Sequence, residues 1–329
     1  MKNLIKYHLS NKHLSMPILS YPSISYLLIT VKELLNSSEY QVKGMKYIAD
    51  NFPSSAALSY MDLSTEAEAF NSTIRFVNDE IPTVIGRVIN TPDEINNITL
   101  PDINNGRIKT AINTIEKAKK IITNKPIYAG IIGPYSLAGR LMDMTELMMN
   151  CYDEPDLIHK LLRLCSDFIT KIIIKYKNAG ADGIIIAEPA AGLLSPTLCE
   201  EFSSNYIKDI NSKVNDENFI FIYHNCGNTL PLYQSIIDIN ADIYHFGNSI
   251  DIEKMLKLMP EDKIIMGNID PILIKNGTPE QIRKTVLELL SRCGHYDNYI
   301  ISSGCDIPPT APLINISAYF NSVKEFYNK

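Results

Sequence analysis

The sequence predicts an α/β chain folded as a single (β/α)8 barrel with an N-terminal extension. Three observations carry this expectation. Short apolar runs alternate with longer amphipathic stretches, the pattern of strands joined by helical crossovers into a parallel sheet. The runs number eight, and no repeat, low-complexity tract or linker divides residues 1–329, so one domain spans them. A doubly wound open sheet shares this periodicity and is the competing architecture.

The runs are "MPILSYP" near 16–22, "AALSYMDL" at 56–63, "IYAGIIG" at 127–133 and "GIIIAEP" at 183–189. They continue with "FIFIYH" at 219–224, "DIYHFG" at 242–247, "KIIMGN" at 263–268 and "YIISSG" at 299–304. Between the later runs, "TPEQIRKTVLELLSRC" (278–293) reads as a helix that Thr278 caps, with Glu280 and Gln281 near its positive end. The stretch 144–180 reads as two helices broken around Pro155 and ended by Gly180. The polar segment 90–107 is expected to be an inserted loop between the second and third units.

With 329 residues, 45% hydrophobic, and a net charge of −6 without basic runs, the chain offers no electrostatic footprint for nucleic acid. No apolar stretch reaches the roughly 18 residues of a membrane span, and the N-terminus lacks a signal-peptide core. A cytoplasmic protein is therefore expected. Six cysteines without disulfide-scaffold spacing fit a reducing compartment.

In a barrel of this kind, reactive side chains gather where strands end. His224 and Cys226 end the fifth run and Cys305 ends the eighth, so one rim can bring them together. An imidazole and two thiolates form a ligand set suited to Zn²⁺, leaving a fourth position for substrate. A thiol taking that position would lose its proton to the metal's charge and become a nucleophile. The alternative is that both cysteines are small buried hydrophobes and His224 a hydrogen-bonded core residue.

The segments "SYMDLSTEAEAF", "GPYSLAGRLM", "GADGIIIAEPAAGLLSP", "YHNCGNT", "MGNIDP" and "SSGCDIPPTAPLINISAY" resemble the uroporphyrinogen decarboxylase superfamily, in particular its methylcobalamin:coenzyme M methyltransferase branch. The resemblance runs from about residue 16 to the C-terminus. It implies a TIM barrel with zinc held by His224, Cys226 and Cys305. It also implies transfer of a methyl group from a methylated corrinoid, carried on a corrinoid protein, to a small thiol, coenzyme M. Acceptors such as another thiol or tetrahydrofolate remain open, and decarboxylation of uroporphyrinogen is the alternative activity. Against the decarboxylases, "PILSYPSISYLL" contains no arginine, Gly304-Cys305-Asp306 stands where they carry Gly-His-Gly, and Arg140 stands where they carry an aromatic residue. Asp62 falls at their pyrrole-binding aspartate and does not discriminate.

Other polar residues at the rim complete the expected site. Asp62 is expected to steady a metal ligand or bind substrate, and Glu188 to orient His224 or occupy the metal at rest, with a loop-capping carboxylate as the alternative. His245 and Asp270 end the sixth and seventh runs and are expected either to touch the corrinoid or to cap a helix. Asn228 is expected to support the loop after Cys226. Arg87 and Arg140 are the candidate cations for an anionic thiol substrate. Glu66 and Glu68 lie two apart, so at least one reads as a solvated or first-turn carboxylate. Cys293 and His295 copy the Cys-x-His spacing but precede the last strand, and are read as structural.

Overall fold

The computed structural model describes residues 2–328, so Met1 and Lys329 of the expected 1–329 span lie outside it. Seven parallel strands form a curled sheet: β1 (Ala57–Leu58), β4 (Ile127–Ile132), β5 (Gly183–Ala187), β6 (Ile220–Asn225), β7 (Ile243–Phe246), β8 (Ile264–Ile269) and β9 (Tyr299–Ser303), in that order. Two further strands, β2 (Thr73–Val77) and β3 (Glu80–Ile85), form a separate antiparallel hairpin. Seven of the eight expected runs thus contain strands of the main sheet.

The run at 16–22 does not form a ladder strand. It lies instead between the two edges of the sheet and is tied to both: Ser55 N donates to Ser15 O at 2.9 Å, and Met16 N donates to Ile301 O at 3.2 Å. Pro17 and Pro22 interrupt this segment, and a proline supplies no backbone N–H for a ladder. The hairpin was not expected from the sequence. Its residues alternate between exposed and half-buried positions, so it lacks the continuous apolar signal of the main sheet.

Side-chain alternation along each strand divides the core in two. Ile185, Ile220, Ile222, Ile243, Ile264 and Ile300 pack together inside the curl. Their sequence neighbours Ile184, Phe221, Tyr223, Tyr244, Ile265 and Ile301 pack outward against the helices. The N-terminal helix, Asn3–Ser10, contributes Ile5 to the inner layer, with Leu4 and Leu9 packed against it. Lys2 Nζ donates to Phe219 O at 2.7 Å, and Lys12 Nζ to Tyr296 O at 2.7 Å. Phe219 and Tyr296 precede β6 and β9, so this extension covers the end of the sheet where strands begin.

The other helices follow the sequence closely. Met144–Asp153 and Pro155–Asn178 meet at Glu154, and Gly180 beyond them takes φ +100°, a conformation that favours glycine. Pro279–Cys293 begins in a capping box, with Thr278 Oγ1 accepting from Gln281 N and Gln281 accepting from Thr278 N. The stretch 90–107 is a loop with a short 3-10 turn, Pro92–Asn97, except that its last two residues open the helix Gly106–Ile121. No helix among the described residues is long and apolar enough to cross a membrane.

Candidate functional site

The parity that places Ile220 and Ile222 inside the curl carries His224 inward at the C-terminal end of β6. In register beside it on β7 is His245, the partner of His224 across the ladder. Cys226 lies just past β6 and Cys305 just past β9. One ligand atom each from His224, Cys226 and Cys305 falls within 4.8 Å of the others, and Cys305 Sγ is 3.6 Å from His224 Nε2. His224 is buried, and both sulfurs are half-buried at the mouth of the curl.

The loop holding Cys226 is fixed by its own neighbours. Asn225 Oδ1 accepts from Gly227 N at 2.8 Å, and Ser249 Oγ donates to Cys226 O at 2.9 Å. Gly247 passes so close beneath that a Cβ there would fall 2.5 Å from Cys226 Cα, so the close approach requires glycine. Asn228, expected to support this loop, is exposed, and the support comes from Asn225 and Ser249.

A hydrogen bond from Cys305 brings the Cys226 thiol down to about 4, while bonding to that sulfur pushes Cys305 up. A thiol lowered in this way beside a ring nitrogen has the donor character that a soft or borderline cation prefers.

His245 does not reach the open rim. It is 1% exposed, its Nδ1 lies 2.7 Å from His224 Nδ1, and its Nε2 lies 2.8 Å from Ser302 Oγ. Burial, with the neighbouring His224, holds it well below the ordinary histidine range, and hence neutral. The expectation that it touches a corrinoid is corrected: both ring nitrogens are engaged behind His224.

Glu188 is also placed differently. Its carboxylate accepts from Tyr135 N at 3.0 Å and Ser136 N at 2.6 Å, capping the helix Pro134–Met142. Only its backbone addresses the site, Glu188 N donating to His224 O at 2.9 Å. Full burial pushes its carboxyl up to about 7. Gly133 stands where a Cβ would meet Glu188 Oε2 at 2.4 Å, which explains the glycine before the helix. Asp270 likewise caps its helix, accepting from Ile272 N at 2.8 Å.

Asp62 is buried after β1 and ion-paired with Arg107, whose Nε also donates to Glu68 Oε2 at 2.6 Å. Ser64 Oγ donates to Asp62 at 2.7 Å. Sequence reasoning missed Arg107, because a single arginine at the end of a polar loop carries no pattern. It also gave no sign that Glu66 is buried: its carboxyl is pushed up to about 8, mainly by desolvation. Asp306, next to Cys305, is pushed up by burial as well. Glu66 Oε2 and Asp306 Oδ1 have no hydrogen-bond partner among the described residues.

Of the expected cations, Arg140 is half-buried and within the fields of Asp62 and Glu66. Arg87 follows the hairpin rather than a strand of the main sheet, and pairs with Glu146 at 3.5 Å near the surface. Cys293 is buried at a helix end and His295 exposed beyond it, so their spacing brings no site together.

The uroporphyrinogen decarboxylase (URO-D) family model matches residues 28–326, and the chain belongs to that family. Among similar proteins, the uroporphyrinogen decarboxylase of Coxiella burnetii is 26% identical over 297 residues, covering 84% of this chain and 78% of its own. The methylcobamide:CoM methyltransferase MtbA of Methanosarcina mazei is 27% identical over 274 residues, covering 80% and 78%. A solved methyltransferase from Methanosarcina mazei superposes with a TM-score of 0.87 at 22% identity, over 99% of this chain and 100% of that one. A B12-independent methionine synthase from a Shewanella species gives a TM-score of 0.59 at 16% identity, over 94% and 96%. These structures share the fold.

Proposed function

We infer that this protein is a zinc-dependent methyltransferase moving a methyl group from a methylated corrinoid, carried on a corrinoid protein, to a small thiol. Coenzyme M is the acceptor favoured by the resemblance to MtbA. In this reading the chain forms one domain and the segment at 16–22 serves as the eighth stave of the barrel. The observation that carries it is the His224, Cys226 and Cys305 cluster, since relatives of both activities match at almost the same identity.

The donor set fits zinc. A tetrahedral Zn²⁺ with bonds of about 2.3 Å to sulfur and 2.05 Å to nitrogen separates those two atoms by roughly 3.5 Å. Cys305 Sγ and His224 Nε2 are 3.6 Å apart. Zinc, when bound, would supply a Lewis acid that takes the sulfur's electron pair and lowers the pKa of an incoming thiol, whose proton then leaves to solvent.

The chain's own residues do the rest. His224, Cys226 and Cys305 hold three positions from two strand ends, and the loop held by Asn225 and Ser249 keeps Cys226 in place. The apolar layer beneath excludes water. Arg140 is the cation proposed for an anionic acceptor's tail, with Asp62 and its Arg107 partner beside it. In the reaction the acceptor sulfur forms a bond to the methyl carbon as the cobalt–carbon bond breaks, and that bond's electron pair remains on cobalt.

The test is metal content together with methylcobalamin demethylation against a panel of thiols. About one zinc per chain and thiol-dependent demethylation are expected. A folded protein that holds no zinc and releases CO₂ from uroporphyrinogen would overturn the reading in favour of the decarboxylase.

A further inference from the structure

Behind the three candidate ligands runs a chain of hydrogen bonds with a direction. Ser302 Oγ donates to Met16 O at 2.8 Å, and a carbonyl can only accept, so the single hydroxyl proton is committed there. Ser302 Oγ must then accept at its 2.8 Å contact with His245 Nε2, which places the proton of His245 on Nε2. Two ring nitrogens 2.7 Å apart can share only one proton, and His224 Nδ1 also faces the carbonyl of His245, which only accepts, so that proton is on His224 and His245 Nδ1 is an acceptor. The 2.7 Å contact between the two Nδ1 atoms is therefore a donation from His224 to His245.

The other end of the chain agrees with this assignment. His224 Nδ1 is 3.3 Å from His245 O, again a group that only accepts. Both constraints put the proton of His224 on Nδ1 and leave the lone pair of Nε2 facing Cys305 Sγ. The register of the sheet makes this possible: His224 pairs with His245 across β6 and β7, and Ser302 sits on β9 at the same inward parity.

We propose that Ser302 and His245 are positioning residues that fix His224 as the Nδ1–H tautomer, presenting Nε2 as a ready metal ligand. Metal-binding histidines commonly donate their second nitrogen to a carboxylate or carbonyl. Here a second histidine, itself oriented by a serine and by the backbone of the segment between the sheet edges, does that work. The consequence for zinc rests on the metal reading above; the tautomer itself does not.

Two measurements test the two parts. Nitrogen-15 shifts of histidine-labelled, metal-free protein should show His224 protonated on Nδ1, and Ser302→Ala or His245→Phe should turn it into a mixture. Zinc affinity by chelator competition should weaken about 10- to 100-fold in His245→Phe. Most of it should return in His245→Gln, whose amide oxygen can accept from His224. The Co²⁺-substituted protein should show a changed sulfur-to-metal absorption band in His245→Phe and a near-native one in His245→Gln.

A folded His245→Phe protein with native zinc affinity and an unchanged His224 tautomer would overturn the proposal. Should His245→Phe fail to fold, Ser302→Ala decides: an unshifted tautomer and unchanged affinity overturn it, and a mixed tautomer with weakened affinity supports it. If wild-type protein binds no zinc, the metal reading falls, while the shifts in metal-free protein still decide the tautomer.

Discussion

His8 and His224 occupy opposite ends of the same curled sheet, both in its interior and both essentially without exposure to solvent. What differs is how their ring nitrogens are used. His8 meets a hydroxyl at each nitrogen, Ser55 Oγ at 3.2 Å from Nδ1 and Tyr128 Oη at 2.5 Å from Nε2, so its capacity is spent within the protein. His224 spends one nitrogen on His245 and turns the other toward a thiol. Burial therefore does not separate a structural histidine from a candidate ligand; the partner of the second nitrogen does.

The largest expected effect breaks the site end alone. Cys226→Ala or Cys305→Ala should reduce zinc from about one per chain to none by elemental analysis, with the melting temperature of the metal-free protein little changed. Retained zinc in both variants would show that the cluster is not a ligand set.

Next is the buried pair near the site. Arg107→Met leaves the Asp62 carboxylate buried without its cation, and should cost about 3–5 kcal/mol in denaturant unfolding. Double substitution to Asp62→Asn with Arg107→Met should recover much of that loss. If the single variant unfolds like wild type, the ion pair is not the anchor of this end.

His8→Ala should cost about 2–4 kcal/mol through lost packing and two stranded hydroxyls, yet leave zinc content intact. The same residue makes a pH prediction. Burial lowers His8 to about 4, below the value of about 6.5 in the unfolded chain, so the unfolded state binds the proton first. Its contribution is intact above about 6.5 and is lost as pH falls toward about 4, a span of up to roughly 3 kcal/mol. Urea titrations of wild type and His8→Ala between those limits should converge as the pH drops; parallel curves would contradict the assignment.

The smallest effect should come from Glu188→Ala, which removes the acceptor for Tyr135 N and Ser136 N. A cost of about 1–2 kcal/mol in stability is expected, again with zinc content unchanged. Loss of the metal in this variant would mean that the carboxylate serves the site as well as the helix.

Most of the parallel sheet was legible because its strands are buried on both faces and read as continuous runs, of which "GIIIA" and "FIFIY" are the clearest. The segment at 16–22 was legible as apolar but not as irregular, since its prolines disrupt pairing without changing its hydropathy. The hairpin at 73–85 is half-exposed on alternate residues and gave too weak a signal. At the site, the gathering of His224, Cys226 and Cys305 follows from strand-end placement. The position of His245 behind His224 needed the register of β6 against β7, which a sequence does not display. Arg107 escaped notice for a different reason: its partner Asp62 lies 45 residues earlier, and only the folded chain brings them together.

The joint between Met16 and Ile301 also sets an order of events in the cell. Cys305 lies 81 residues beyond His224, just past the strand whose Ile301 O accepts from Met16 N. A ribosome releases His224 and Cys226 well before Cys305, so a nascent chain offers at most two of the three donors. The three donors can meet only after the last strand has been made, so a metal held by all three would enter late in folding.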